Sequence, residues 1–180
     1  MNKSLLSLCL ALTCFAAQAQ DFKLSSSDIH DGKQLGENQI QNGSGCSGRD
    51  ISPELSWSGA PASAKSFAVT VFDPDAPTGS GWWHWTIVNI PKNVRELPRD
   101  AGNRDGTKVP AGAVQGRTDF GSPGYGGACP PSGTHRYRFK VWALDVDKLP
   151  VDRESSGALV GYLLNAHSVA TAELAPIATR

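Results

Sequence analysis

The sequence predicts a mainly β domain with long loops and little helix. Its 19 Gly and 12 Pro punctuate a chain of 180 residues into short segments. The apolar runs between them are brief and rich in Val, Ile, Phe and Trp, side chains that suit a pleated, half-buried surface. Two of these runs also alternate with period two, as a strand with one buried face does.

The clearest alternation sets Tyr137, Phe139, Val141 and Ala143 against Arg136, Arg138, Lys140 and Trp142, and Val69 and Val71 flank Thr70 in the same way. Strands are expected near Phe22–Leu24, Glu54–Trp57, Ser66–Phe72, Trp83–Ile90, Arg136–Leu144 and Ala170–Ile177. One helix stands out. Ser155 or Ser156 can cap it, and Leu159, Val160, Leu163 and Leu164 then form an apolar stripe that should pack on a sheet. Between Asp28 and Gln41, Gly32 and Gly36 leave room for no more than a turn of helix.

Residues 1–19 read as a signal peptide rather than as structure. Lys3 supplies the positive start, Leu5 to Ala17 the apolar run and Ala17-Gln18-Ala19 the small-x-small site, with the cut after Ala19. The run falls short of the roughly 20 residues that a membrane-spanning helix needs. A lipid anchor at Cys14 is disfavoured because Thr13 stands where such a signal wants Gly, Ala or Ser. Gln20 to Arg180 remain as a single domain, exported to the periplasm or secreted.

Charge points to no polyanionic partner: 17 Lys and Arg balance 17 Asp and Glu, and the basic residues are scattered. Removing the signal peptide also removes Cys9 and Cys14. Cys46 and Cys129 are then left in an oxidising compartment, where a disulfide is their expected fate. Neither belongs to a C-x-x-C pair, which argues against a zinc or redox role.

Two constellations carry chemistry. The first is Asp73-Pro74-Asp75-Ala76-Pro77-Thr78-Gly79 followed by Trp82-Trp83-His84-Trp85. It begins where an apolar strand runs out, its prolines fix the turn, and it sets two carboxylates beside an imidazole at the ends of neighbouring strands. The second runs from Gly126 and Gly127 through Cys129, Pro130 and Pro131 to His135 and Tyr137. Its glycines leave backbone N–H groups accessible to an anion, and His135 and Tyr137, two apart on a strand, should face one side. Imidazole, phenol and main-chain amides together would make a donor-rich cup for a phosphate. Asp73 near His84 and His135 should favour charged imidazole. Each piece alone has a plainer reading: a proline turn, a structural histidine, an aromatic core, a flexible glycine loop.

The blocks DPDAPTGSGWWHWTIVNIP from Asp73, GAVQGRTDFG from Gly112 and YGGACPPSGTHRYRFKVWALD from Tyr125 together resemble the phosphatidylethanolamine-binding protein family. Within it they are most similar to the bacterial YbhB/YbcL, Raf-kinase-inhibitor-like branch, especially its exported YbcL type. The resemblance implies two antiparallel sheets with Greek-key topology and a few short peripheral helices. By motif it assigns Asp73, Asp75, His84, Gly127, Pro130, Pro131, His135 and Tyr137 to an anion pocket for phosphate-bearing groups such as a phosphoethanolamine head group. The chain departs from eukaryotic relatives at Cys129, which stands in place of a glycine, and in ending soon after its last strand, without their C-terminal helix.

The expected function is therefore that of an exported binding protein for a phosphate-bearing small molecule or head group, with no catalytic residue, metal or cofactor. Its protein target is unspecified, and a homodimer is compatible with the sequence. Two alternatives stand beside it: a metal-dependent or acid–base hydrolase using Asp73, Asp75, His84 and His135, and an interaction protein that acts through its surface while the pocket is idle.

Overall fold

The short β-rich runs build two main sheets and two small two-stranded ladders in the computed structural model, which describes residues 21–180. The expected signal peptide, its cleavage point, and Cys9 and Cys14 lie outside these residues. Along the chain run β1 (Lys23–Ser25), a 3-10 turn (Glu37–Gln39), β2 (Asn42–Gly43), β3 (Cys46–Ser47), β4 (Leu55–Ser58), β5 (Ser66–Asp73) and β6 (Trp82–Pro91). They are followed by β7 (Glu96–Leu97), β8 (Val114–Gln115), β9 (Thr134–Arg136), β10 (Arg138–Leu144), α1 (Gly157–His167), β11 (Ser168–Leu174) and β12 (Ile177–Thr179). Five strands form one antiparallel sheet in the order β11-β10-β5-β6-β8, three form a second in the order β1-β4-β7, and the two ladders are β2-β3 and β9-β12. Within the larger sheet, β10-β5-β6-β8 is a Greek-key order, with the last of the four strands in sequence beside the first. Among the described residues no helix is long and apolar enough to cross a membrane.

The two sheets bury their facing sides on each other. Leu24, Leu55, Trp57 and Leu97 of the smaller sheet meet Phe67, Val69, Val71, Trp85, Phe139 and Val141 of the larger. Each such side chain removed from water contributes about 1.5–3 kcal/mol. The period-two reading of Tyr137–Ala143 holds, since Tyr137, Phe139, Val141 and Ala143 all turn into this core. The other face of the larger sheet carries Ala68, Val88, Trp142 and Leu144, covered by Val160 and Leu164 of α1.

Ser156 caps α1 by accepting from the Leu159 amide at 3.3 Å. The buried stripe, however, is Gly157, Val160, Gly161 and Leu164, and Leu159 is exposed. The reason is a backbone-to-ring contact. A Cβ on Gly157 would lie 2.2 Å from the Trp83 ring and one on Gly161 3.1 Å from it, so the helix approaches the sheet through its glycines.

Two predicted strands are each split in two. Arg136–Leu144 breaks at Tyr137 and Ala170–Ile177 breaks at Ala175-Pro176, so β10 and β11 pair in the large sheet while β9 and β12 pair in a separate ladder. The breaks face each other: the Tyr137 amide donates to the Pro176 carbonyl at 2.8 Å, and Pro176 has no N–H to continue a ladder.

Candidate ligand-binding site

Trp83, His84 and Trp85 would alternate faces in a regular strand, with the two tryptophans on one side. In β6 they do not, because Phe72 pairs with Trp83 and Val71 with Trp85, leaving His84 as an extra residue in a β-bulge. Trp85 is fully buried in the sandwich core, while the Trp83 ring packs at a 45° tilt on Phe72, centroids 4.7 Å apart, on the α1 side. The bulge frees His84 to point toward the end of β5, where Asp73 lies.

His84 is tied to the glycine-rich loop in both directions. Its Nδ1 is 2.8 Å from the Gly126 carbonyl, and the Gly126 amide donates back to the His84 carbonyl at 2.9 Å. A carbonyl can only accept, so the ring proton sits on Nδ1. Nε2 has no protein partner among the described residues and is left for the cavity. Phe120 and Tyr137 hold the ring edge-on at 5.2 and 5.1 Å. Burial pushes the His84 pKa down, against the pull of the Gly126 carbonyl and the Asp73 charge. The charged imidazole expected from sequence is thus corrected at this position: desolvation outweighs the nearby carboxylate, and His84 is held toward its neutral form.

Both oxygens of the buried Asp73 carboxylate are engaged. Oδ1 accepts from the Asp75 amide at 2.8 Å, and Oδ2 meets His135 Nδ1 at 2.7 Å. Asp75 is turned away to Arg136, which donates to it from Nε at 2.9 Å, Nη2 at 2.7 Å and its backbone amide at 2.9 Å. These contacts with Arg136 hold the Asp75 pKa down at about 2. Burial, with the Asp73 charge beside it, pushes the Tyr137 phenol well up, so it stays a protonated donor.

A cavity of about 260 Å³ forms where these parts meet, lined by Asp73, His84, Pro131 and Tyr137 with Trp82 and Phe120 as aromatic walls. The other four candidates stand behind the lining. Asp75 and His135 brace Asp73, and Pro130 and Gly127 lie in the loop beneath. A Cβ on Gly127 would fall 2.4 Å from the Gln41 nitrogen, so this glycine serves the close approach of two backbones.

The expected ring of free glycine amides is not present. The Gly126, Gly127 and Ala128 N–H groups donate to the His84 carbonyl, to Asp50 Oδ1 at 2.7 Å and to the Gln39 carbonyl at 2.9 Å. The Ala128 carbonyl in turn accepts from the Gln41 amide at 3.0 Å, which completes a parallel bridge between Ala128 and Ile40.

Sequence reasoning missed Gln41, Ser44 and Thr78 on the cavity rim and Phe120 in its wall. The turn between β2 and β3 carried one usable signal, namely Cys46. The Cys46–Cys129 disulfide, with an S–S distance of 2.05 Å, pins this turn to the glycine-rich loop, and Cys129 itself lines the cavity. Among the described residues, no three His, Cys, Asp or Glu side chains are grouped so that they could hold a metal ion.

With this geometry in place, comparison with known proteins decides the family. The sequence profile described as phosphatidylethanolamine-binding protein matches residues 25–178. The chain belongs to this family. It is 60% identical to YbcL of Escherichia coli over 179 residues, covering 98% of each chain. It is 51% identical to YbhB of the same organism over 153 residues, covering 84% of this chain and 96% of the relative. The crystal structure of E. coli YbcL superposes with a TM-score of 0.87 at 61% identity, over 88% of this chain and 98% of that one. A Chlamydia trachomatis protein follows with a TM-score of 0.74 at 31% identity, over 89% and 99% of the two chains. The phosphatidylethanolamine-binding fold therefore extends over the described domain, and the cavity between β5, β6 and the glycine-rich loop sits within the matched residues.

Proposed function

We propose that this chain is an exported, non-enzymatic binding protein whose cavity accepts a phosphate-bearing group as a monoanion or a zwitterion. The observation that carries the reading is the donor–acceptor set around one space of about 260 Å³: a phenol that donates, and a neutral imidazole nitrogen and a carboxylate that accept. A bare dianion would meet repulsion from Asp73. A protonated phosphate or an ethanolammonium brings its own donors, and the phenol supplies one to a phosphate oxygen. The family's description agrees with such a ligand.

The Cys46–Cys129 bridge fits an oxidising compartment, in keeping with a cleaved leader at residues 1–19. The non-enzymatic reading is supported by the engagement of Asp75 with Arg136 and of His135 with Asp73. Three of the four groups named for a hydrolase, Asp73, Asp75 and His135, thereby already hold protein partners.

Calorimetric titration of phosphate, phosphoethanolamine and glycerophosphoethanolamine into wild type and His84→Gln tests this. Saturable binding should weaken at least tenfold in the variant. A preference for glycerophosphoethanolamine would indicate a lipid head group, and a preference for phosphoethanolamine a phosphomonoester. The neutral Nε2 accepts only from a ligand that brings a proton, which it then shares with a phosphate oxygen, so the complex holds more protons than the free protein and unprotonated ligand. The advantage of wild type over His84→Gln should then grow as pH falls from about 8 to about 6. Equal weak heats from both proteins would overturn the reading.

A further inference from the structure

A second cavity, of about 210 Å³, opens on the α1 side of the five-stranded sheet. Its floor is the buried pair Thr70 and Trp142, its walls are the rings of Phe72 and Trp83, tilted 45° to each other, and Arg138, Lys140 and Asn165 stand at its mouth. The bulge at His84 makes it possible by turning Trp83 to this side of the sheet, and Gly157 and Gly161 let α1 close against the indole.

The charge at the mouth is unbalanced. Glu173 of β11 accepts a fork from Arg138 at 2.7 and 2.8 Å and lies 3.2 Å from Lys140 Nζ, so two cations face one carboxylate. Burial works against the Glu173 charge, but the two cations prevail and hold its pKa down. The Lys140 ammonium also rests 4.9 Å from the centre of the Trp142 ring. Inside, Thr70 Oγ1 accepts from Trp142 Nε1 at 3.0 Å. Thr70 is 2% exposed, and its own hydroxyl proton finds no acceptor among the described residues.

We propose that this cavity binds a small, single-ring aromatic carboxylate. Its volume lies below the roughly 300–1,000 Å³ that holds drug-sized ligands, which limits the occupant to about one ring. Flat walls of indole and phenyl favour a flat, polarisable body over a saturated one. The surplus positive charge takes one carboxylate, while Glu173 at the same mouth disfavours a dianion such as phosphate. The ring lies over Trp142 and against Trp83, and its carboxylate meets Lys140 and the unused edge of the Arg138 guanidinium. This inference is independent of the reading of the His84 cavity.

The test is a two-dimensional amide NMR titration of the protein with benzoate, benzyl alcohol and cyclohexanecarboxylate. Benzoate should saturably shift the indole signals of Trp83 and Trp142 and the amide of Thr70. The uncharged ring and the saturated acid should each bind at least tenfold more weakly. Asn165→Trp fills the mouth from an exposed helical position without touching the core, and Lys140→Met removes the surplus charge. Each should weaken benzoate at least tenfold, and the Asn165 variant decides the matter where the Lys140 variant fails to fold. No saturable shift at tens of millimolar benzoate would overturn the proposal. So would unchanged affinity in Asn165→Trp, or shifts confined to Phe120 and Tyr137.

Discussion

Replacing Cys46 and Cys129 together by Ser removes the tie between β3 and the glycine-rich loop, and its cost can be worked from the chain. The bridge spans a sequence separation of 83 residues. On the chain-entropy relation, closing a loop of that length withdraws about 4.5 kcal/mol of freedom from the unfolded protein, a ceiling from which native strain subtracts. The folded side should change little, because the joined segments keep other bonds. Gln41 still donates to Ala128 at 3.0 Å, Gly48 to Gln41 at 2.8 Å, and Gly127 to Asp50 at 2.7 Å. With a urea dependence of about 2 kcal/mol per molar, the unfolding midpoint should fall by about 2 M. Urea unfolding followed by tryptophan fluorescence measures it, comparing oxidised wild type, wild type kept reduced, and the double variant. The last two should coincide within about 1 kcal/mol. A loss below about 1 kcal/mol in both would refute the argument, because the crosslink would then not be restricting the unfolded chain.

The Asp75–Arg136 pair sets an acid limit: with the folded carboxyl at about 2, its contribution is complete above about pH 4 and is lost as pH falls from about 4 to about 2. Asp75→Asn should flatten the stability profile of wild type in that window, as measured by urea midpoints at stepped pH. Gln115→Leu leaves Trp85 Nε1, which now donates to Gln115 Oε1 at 2.6 Å, buried without an acceptor. A loss of about 1–3 kcal/mol is expected in urea unfolding, and a change below about 0.5 kcal/mol would contradict it. Gly127→Ala pushes a methyl group to 2.4 Å from Gln41 and Ile40 backbone atoms, which should cost about 1–3 kcal/mol in a thermal melt. It should also weaken binding in the cavity that Gln41 lines.

Much of the fold was legible because single side chains reported burial directly. Alternation from Tyr137 to Ala143 marked the inward face of β10, and Ser156 marked the start of α1. Legibility failed where a backbone event reset the pattern. Tyr137 and Pro176 interrupt two strands opposite each other, so runs that read as continuous are divided between two ladders. The stripe of α1 was misjudged because glycines, which carry no hydrophobic signal, form its contact with Trp83.

The site shows the same division. Asp73, His84 and Tyr137 carry recognisable chemistry in recognisable motifs. The rim residues Gln41 and Ser44 come from a turn without periodicity. The glycine-rich loop could not reveal which of its amides were already engaged, since their acceptors, Asp50 and the Gln39 carbonyl, lie far away in sequence. The neutral tendency of His84 was equally hidden, because it depends on how completely Phe120 and Tyr137 exclude water.

The supernumerary residue in β6 has a consequence for how this protein can change. Just upstream of His84 the strand turns Trp83 toward α1, and just downstream it turns Trp85 and Ile87 into the sandwich interior, so the two stretches run on separate clocks. Exchanging the side chain at 84 leaves both in step. Deleting that residue would reset the register of Trp82 and Trp83, and with them one wall of each cavity. The tip of this hairpin therefore behaves as an interchangeable fitting, able to acquire new chemistry by substitution while the interior needs no rethreading.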